Sequence, residues 1–197
     1  MNYPELKRNL EKRGYKASVF SVKEEAANYL QEKIVKRNIA FGGSMTLQQL
    51  GLYEKLKEKN AVLWHWHQTT AVLPLAQQAD VYMSSVNGLS YNGEWVNIDG
   101  TGNRVAALIY GPKEVYLVVG RNKIAPDLDS ALDRAKNIAA PLNAKRLNAD
   151  TPCAVKGDRC YDCDSPGRIC RVTAIFDYKP NGIEHYEFVI IDEDLGY

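Results

Sequence analysis

Residues 84–124 read SSVNGLSYNGEWVNIDGTGNRVAALIYGPKEVYLVVGRNKI. Two apolar runs, VAALIYG (105–111) and EVYLVVG (114–120), read as strands separated by a Gly-Pro-Lys turn. Before them lies the densest polar stretch of the chain, with turn signals at Asn92-Gly93 and Asp99-Gly100. After them, Arg121, Asn122 and Lys123 stand between a buried-type strand and a helix, APDLDSALDRAKNIAAP (125–141), whose first turn suits Pro126 and Asp127. Polar loops at the carboxyl ends of apolar strands are where open α/β sheets bind ligands.

Upstream, the pattern alternates. Residues 2–14 form an amphipathic helix ended by Gly14, ASVFSV (17–22) a strand, and KEEAANYLQEKIVKR (23–37) a helix. The strand NIAFGG (38–43), the helix MTLQQLGLYEKLKEK (45–59) and the strand-like AVLWHWH (61–67) follow. TAVLPLAQQA (70–79) reads as a helix despite Pro74, and DVYMSS (80–85) as a strand. Downstream, RVTAIFDY (171–178) and HYEFVIID (185–192) are the last strands, joined through a KPNG turn. This alternation predicts one α/β domain over residues 1–197, with a mainly parallel sheet covered by helices on both faces.

Composition narrows the partners. The chain has 197 residues, 45% apolar and 25% charged, with a net charge of +1. Near-zero charge argues against nucleic acid or a membrane surface as partner. No apolar run approaches the roughly 18 residues of a membrane span. The polar first residues lack a signal-peptide core, which leads to the expectation of a cytoplasmic protein.

Four sets of residues carry candidate chemistry. In FGGSMT (41–46), Gly42 and Gly43 allow close backbone approach, and Ser44 and Thr46 add hydroxyls at a helix start suited to an anion; the alternative is a glycine turn with a serine N-cap. In the polar stretch, Asp99 is a candidate acid/base or a holder of Arg104, and Arg104 and Asn103 suit a carboxylate or phosphate; turn residues chosen for backbone reasons are the alternative. Lys123 is an anion contact or, if desolvated, a reactive amine; a solvated basic loop is the alternative. His65 and His67, two apart in a strand, would share one face and could chelate metal or act as a base; a partly buried aromatic strand end is the plainer reading. His185 falls in a turn region and is assigned nothing.

All four cysteines lie in CAVKGDRCYDCDSPGRIC: Cys153, Cys160, Cys163 and Cys170, spaced C-x6-C-x2-C-x6-C. The enclosing segment, 148–171, is a polar excursion from the domain. A C-x2-C pair flanked symmetrically suits a closed four-thiolate zinc site, structural in kind. An iron–sulfur cluster also takes four cysteines, though the x6 spacings match no ferredoxin run. Free or oxidised thiols are the third reading.

FGGSMT, residues 84–124, AAPLNAKRL (139–147), the cysteine segment and the terminal DEDLGY (192–197) together resemble the LUD, or lactate-utilisation-type, family. The resemblance runs from about Ala40 onward. It implies a three-layer α/β fold shared with ribose-phosphate isomerases and coenzyme A transferases. It implies an anion loop at Gly42, Gly43, Ser44 and Thr46, a polar segment at Asn87, Asp99, Gly100, Asn103 and Arg104, and a basic loop at Asn122 and Lys123. The glutamate nucleophile of coenzyme A transferases is not among the quoted motifs. Two functions follow. One is an enzyme-like pocket for a small anionic metabolite, such as a hydroxy acid, sugar phosphate or acyl thioester, in organic-acid utilisation. The other is a non-catalytic accessory protein that senses or binds a metabolite, or docks an iron–sulfur redox partner through the cysteine loop. A homo-oligomer is compatible with either.

Overall fold

A computed structural model describes all 197 residues. Helix α1 (Tyr3–Lys12) starts at Asn2, whose side chain accepts from the Glu5 N–H, and it buries Leu6 and Leu10. Strand β1 (Lys16–Phe20) follows, then α2 (Lys23–Lys33), which buries Ala26, Ala27 and Leu30. Strand β2 (Asn38–Phe41) leads into a helical segment that the structure divides into α3 (Met45–Gln49) and α4 (Leu52–Lys57). The division falls at Gly51, with φ +64°, a conformation glycine adopts at little cost.

Strand β3 (Ala61–Leu63) is short. The strand expected to continue through His67 instead turns at Trp64, whose carbonyl accepts from the N–H groups of both His67 and Gln68. A 3-10 turn at Thr70–Val72 and α5 (Leu73–Ala76) precede β4 (Val81–Ser84). Strands β5 (Gly88–Ser90) and β6 (Trp95–Asp99) form the Asn92-Gly93 hairpin.

Residues 105–111 are not a strand. Val105 to Ile109 belong to α6 (Asn103–Ile109), because the Asp99 carboxylate accepts from the N–H groups of Arg104 and Val105 and so caps a helix start. Strand β7 (Glu114–Gly120), β8 (Ile124–Ala125), α7 (Leu128–Arg134), a π-helical turn (Ala135–Ala139) and α8 (Ala140–Arg146) follow. The π turn precedes Pro141, which cannot donate to the carbonyl four residues back. Helix α9 (Pro152–Lys156) opens the cysteine segment, and β9 (Val172–Phe176) and β10 (His185–Ile191) close the fold.

Six strands form a wholly parallel sheet in the order β1-β10-β7-β4-β2-β3. Both faces of its strands are apolar, as a sheet covered on both sides requires. On one face Val81, Met83, Tyr116, Val118, Val189 and Ile191 meet α2, α3 and α4. On the other, Tyr82, Val115, Leu117, Val119, Phe188 and Ile190 meet Leu6 and Leu10 of α1, Ala107 and Leu108 of α6, and a second sheet. That sheet, β8-β5-β6-β9, is mixed in direction and was not foreseen from sequence. Its inner face carries Trp95 stacked on Phe176 at 3.7 Å between ring centroids, and the Trp95 indole N–H donates to Tyr15 at 3.0 Å. Its outer face, Val96 and Ile98, is covered by Ala131 of α7 and by Ala135. The two last strands therefore sit in different sheets rather than in one hairpin.

Candidate functional site

Parallel strands send all their carboxyl ends to one edge, so the segments after β2, β4 and β7 meet there by topology. They border a cavity of about 440 Å³. Of the residues expected at a site, Gly43, Ser44, Asn87, Asp99, Gly100, Asn103, Arg104 and Lys123 line it. Residues as distant in sequence as Ser44 and Lys123 thus face one space.

Three expected residues do not reach the cavity. A Cβ at Gly42 would lie 2.9 Å from Arg104 Cγ, Ser84 Oγ and Tyr82 Oη, so this glycine serves packing beneath the wall. Thr46 is fully buried under the floor. Asn122 faces the chain's tail: its Oδ1 accepts from the Leu195 N–H at 3.0 Å and its amide donates to the Gly196 carbonyl at 3.3 Å. Ser44 is the N-cap of α3, accepting from the Leu47 N–H at 3.3 Å. Five residues of helix provide little macrodipole, so the field of the cavity comes from side chains.

Lys123 is only 4% exposed. Its ammonium donates to Thr46 Oγ1 at 2.9 Å, Ser85 Oγ at 3.0 Å and the Val86 carbonyl at 3.2 Å, and no carboxylate pairs with it. Burial, then the nearby Arg134 and Arg104 charges, push its pKa well below the ordinary lysine value. The three acceptors act in the opposite direction, favouring the ammonium. Arg134, brought by α7, is buried as well; its guanidinium donates to the carbonyls of Asn122 at 2.7 Å and Asn87 at 2.5 Å, and burial lowers it to about 10. Arg104 donates to the Ile98 carbonyl at 2.5 Å and stands 3.8 Å from Asp99.

Three further arginines line the cavity: Arg146 from α8, and Arg168 and Arg171 from the end of the cysteine segment. Arg146 lies over the Trp66 ring at 4.6 Å. Five cationic side chains therefore face a single acidic one, Asp99, whose carboxylate is already engaged in the α6 cap. Of the histidines, only His65 lines the cavity; burial and then Arg104 hold its pKa below the usual value. His67 stacks on Tyr53 at 4.2 Å and contacts Gln48 at 3.2 Å, so the expected histidine pair does not form. Sequence reading missed Arg134, Ser85, Arg146, Arg168 and Arg171. A cation between the buried alanines at 131 and 135 was the one available signal for Arg134.

The four cysteines line a second, much smaller cavity of about 10 Å³. None is in a disulfide. No group of three or more His, Cys, Asp or Glu side chains has metal-holding geometry as it stands. No helix is long and apolar enough to cross a membrane.

The fold is similar to that of a DUF162 family protein from Deinococcus radiodurans, at a TM-score of 0.55 and 12% identity, over 96% of this chain and 95% of that one. Similarity to eIF2B beta from Chaetomium thermophilum is weaker: 14% identity, a TM-score of 0.39, and 55% of this chain against 44% of that one. No curated protein matches the sequence. The LUD domain matches residues 3–191, nearly the whole fold including both sheets and every wall of the cavity but the tail. The chain belongs to the LUD domain family.

Proposed function

We propose that the cavity binds a small metabolite through a carboxylate or phosphate group. The observation that carries this reading is Lys123, a buried ammonium without a carboxylate partner, set beside Arg134 and Arg104. Uncompensated buried charge is costly. An anion in the cavity would offset it and would meet the Arg104, Arg146, Arg168 and Arg171 side chains as well. A volume of about 440 Å³ suits a hydroxy acid or sugar phosphate, or the acyl end of a thioester. Hydroxy acids are also the class that the lactate-utilisation resemblance implies. Asp99 is committed to its helix, which leaves the Lys123 amine as the group best placed for proton transfer if turnover follows binding.

Thermal denaturation in the presence of hydroxy acids, sugar phosphates, acyl thioesters and matched chloride tests the reading. A true ligand at a hundred times its Kd stabilises the fold by about 2.7 kcal/mol. For a domain of this size that is roughly 5–11 °C. The shift should be lost in Arg104→Gln. Equal small shifts for every salt, retained in Arg104→Gln, would sink the proposal.

A further inference from the structure

The cysteine segment adjoins the cavity through its last residues, Arg168, Ile169 and Arg171. Its base is closed by Asp150, whose carbonyl accepts from the Ser165 hydroxyl and lies 2.9 Å from where a Cβ at Gly167 would stand. Its far end, Arg168 to Arg171, forms one wall of the anion cavity and is joined to β6 by the Arg171 N–H to the Asp99 carbonyl at 2.9 Å. Between Gly157 and Arg171 there is no helix or strand. Only Cys170 packs against an apolar cluster, that of Val96 and Ile98. A stretch this long without secondary structure is uncommon in a compact domain, and burial does not order this one.

Four further observations point to what does. Residues up to seventeen positions apart bring all four thiols to one cavity of about 10 Å³, the space of roughly one water-sized sphere. The charged side chains lining it are Lys136 and Arg168, with no acid among them. Sulfur atoms already take part in hydrogen bonds: the Asp162 N–H donates to Cys160 Sγ at 3.3 Å, inside the C-x2-C turn, and Cys153 Sγ lies 3.4 Å from the Thr151 hydroxyl, either of which can donate. Asp162 holds φ at +43°, the left-handed region that aspartate enters more readily than most non-glycine residues and that tightens the C-x2-C turn.

We infer that Cys153, Cys160, Cys163 and Cys170 bind one zinc ion, and that this ion holds the Arg168–Arg171 wall of the neighbouring cavity in place. Loss of one proton from each of four thiols and binding of Zn²⁺ yields a tetrathiolate of net charge −2. Lys136 and Arg168 offset that charge, and Arg168 also donates to the carbonyls of Cys163 and Cys170, both at 2.9 Å. Sulfur-directed N–H and O–H donors stabilise thiolate ligands in the same way. The C-x6-C-x2-C-x6-C spacing matches no ferredoxin run, which favours a single ion over a cluster. Four sulfurs about 2.3 Å from zinc leave no open coordination position, so the ion is structural and its binding energy orders the loop. As the side chains stand, no three chelate, so binding includes closure of the loop on the ion. The inference is independent of what the larger cavity binds.

The full chain, purified under reducing conditions without chelator, is assayed for zinc, iron and acid-labile sulfide. One zinc per chain and no labile sulfide is expected, with zinc lost in Cys160→Ser and in Cys163→Ser. Cobalt(II) added to stripped wild-type protein should give the thiolate charge-transfer and intense visible bands of a tetrahedral tetrathiolate, displaced by one equivalent of zinc. This second measurement does not depend on the variants folding. Chelator should accelerate trypsin cleavage after Arg159 and Arg168 while the far-ultraviolet circular dichroism of the sheet persists. Iron with labile sulfide, or substoichiometric zinc together with a weak octahedral cobalt spectrum, overturns the inference.

Discussion

Lys123→Met removes the buried charge while conserving most of the side-chain volume, and it separates stability from binding. Replacing a buried charge by an apolar side chain of similar size commonly stabilises by about 1–4 kcal/mol. Here Lys123 is repelled by Arg134 and Arg104 and lacks a carboxylate, so the middle of that general range, about 2–3 kcal/mol, is the expectation. Against this stand three lost hydrogen bonds. Thr46 Oγ1 and Ser85 Oγ are 3.3 Å apart and can pair with each other, which leaves the Val86 carbonyl as the one orphan, at about 1 kcal/mol. The net is a gain of about 1–2 kcal/mol, a Tm increase of roughly 2–8 °C. Anion binding should move the other way. Losing one buried charged partner costs about 2–5 kcal/mol, or roughly 30-fold to several-thousand-fold in Kd. The pH dependence has a definite sign. Because the folded-state pKa is depressed, the folded chain binds fewer protons between that pKa and the unfolded value. Wild-type stability therefore rises with pH through this window, while anion affinity falls as the ammonium deprotonates. Both dependences should vanish in Lys123→Met. Calorimetric melts and ligand titrations from neutral to alkaline pH check this. A Tm lowered by several degrees with anion affinity intact would refute the reasoning.

Two other predictions concern the frame. Glu187, buried near the start of β10, is raised by burial but pulled down more strongly by His185, Lys33, Tyr29 and Ser18, to about 2 from 4.5. Its stabilisation of about 3 kcal/mol is present above pH 4.5 and lost as pH falls toward 2, so urea melts of wild type and Glu187→Gln should converge over that interval; a constant gap would contradict it. Gly100→Ala places a Cβ 2.7 Å from the Ile169 carbonyl, which forces the end of β6 away from the cysteine segment. A loss of about 1–3 kcal/mol and faster amide exchange over residues 160–171 are expected, with exchange in the six-stranded sheet unchanged.

How much of this was legible from sequence depends on the range of the interactions concerned. Strands β4, β7 and β10 are apolar runs too short for helices, and they were read correctly. Gly14 and Ser44 mark helix ends through local backbone chemistry, and Asn92-Gly93 marks a hairpin for the same reason. The meeting of Ser44, Asn87 and Lys123 followed from one rule, that parallel strands deliver their carboxyl ends to one edge; Asp99 and Arg104 arrive there from β6 and α6, through the second sheet.

Other features are set by contacts remote in sequence. The run VAALI suits a strand or a helix equally; the Asp99 carboxylate, placed at the end of β6, decides for the helix. Strands β5 and β8 are three and two residues long and are strands only because they pair with each other and, for β5, with β6, while β9, legible as a strand, finds its partner β6 across up to 81 positions. The apparent strand through His67 stops at Leu63, since Trp64 is drawn into the core against Phe41 and Tyr53. Arg134 is, in the sequence, only a cation between two alanines; the packing of α7 on the second sheet buries it. By itself, then, the sequence determined the periodic elements, their turns and the edge at which a site would form, because those rest on local sterics and on alternation of apolar residues. Tertiary structure alone decided the second sheet, the identity of α6 and the count of unpaired cations, because burial and pairing energies belong to contacts between distant segments.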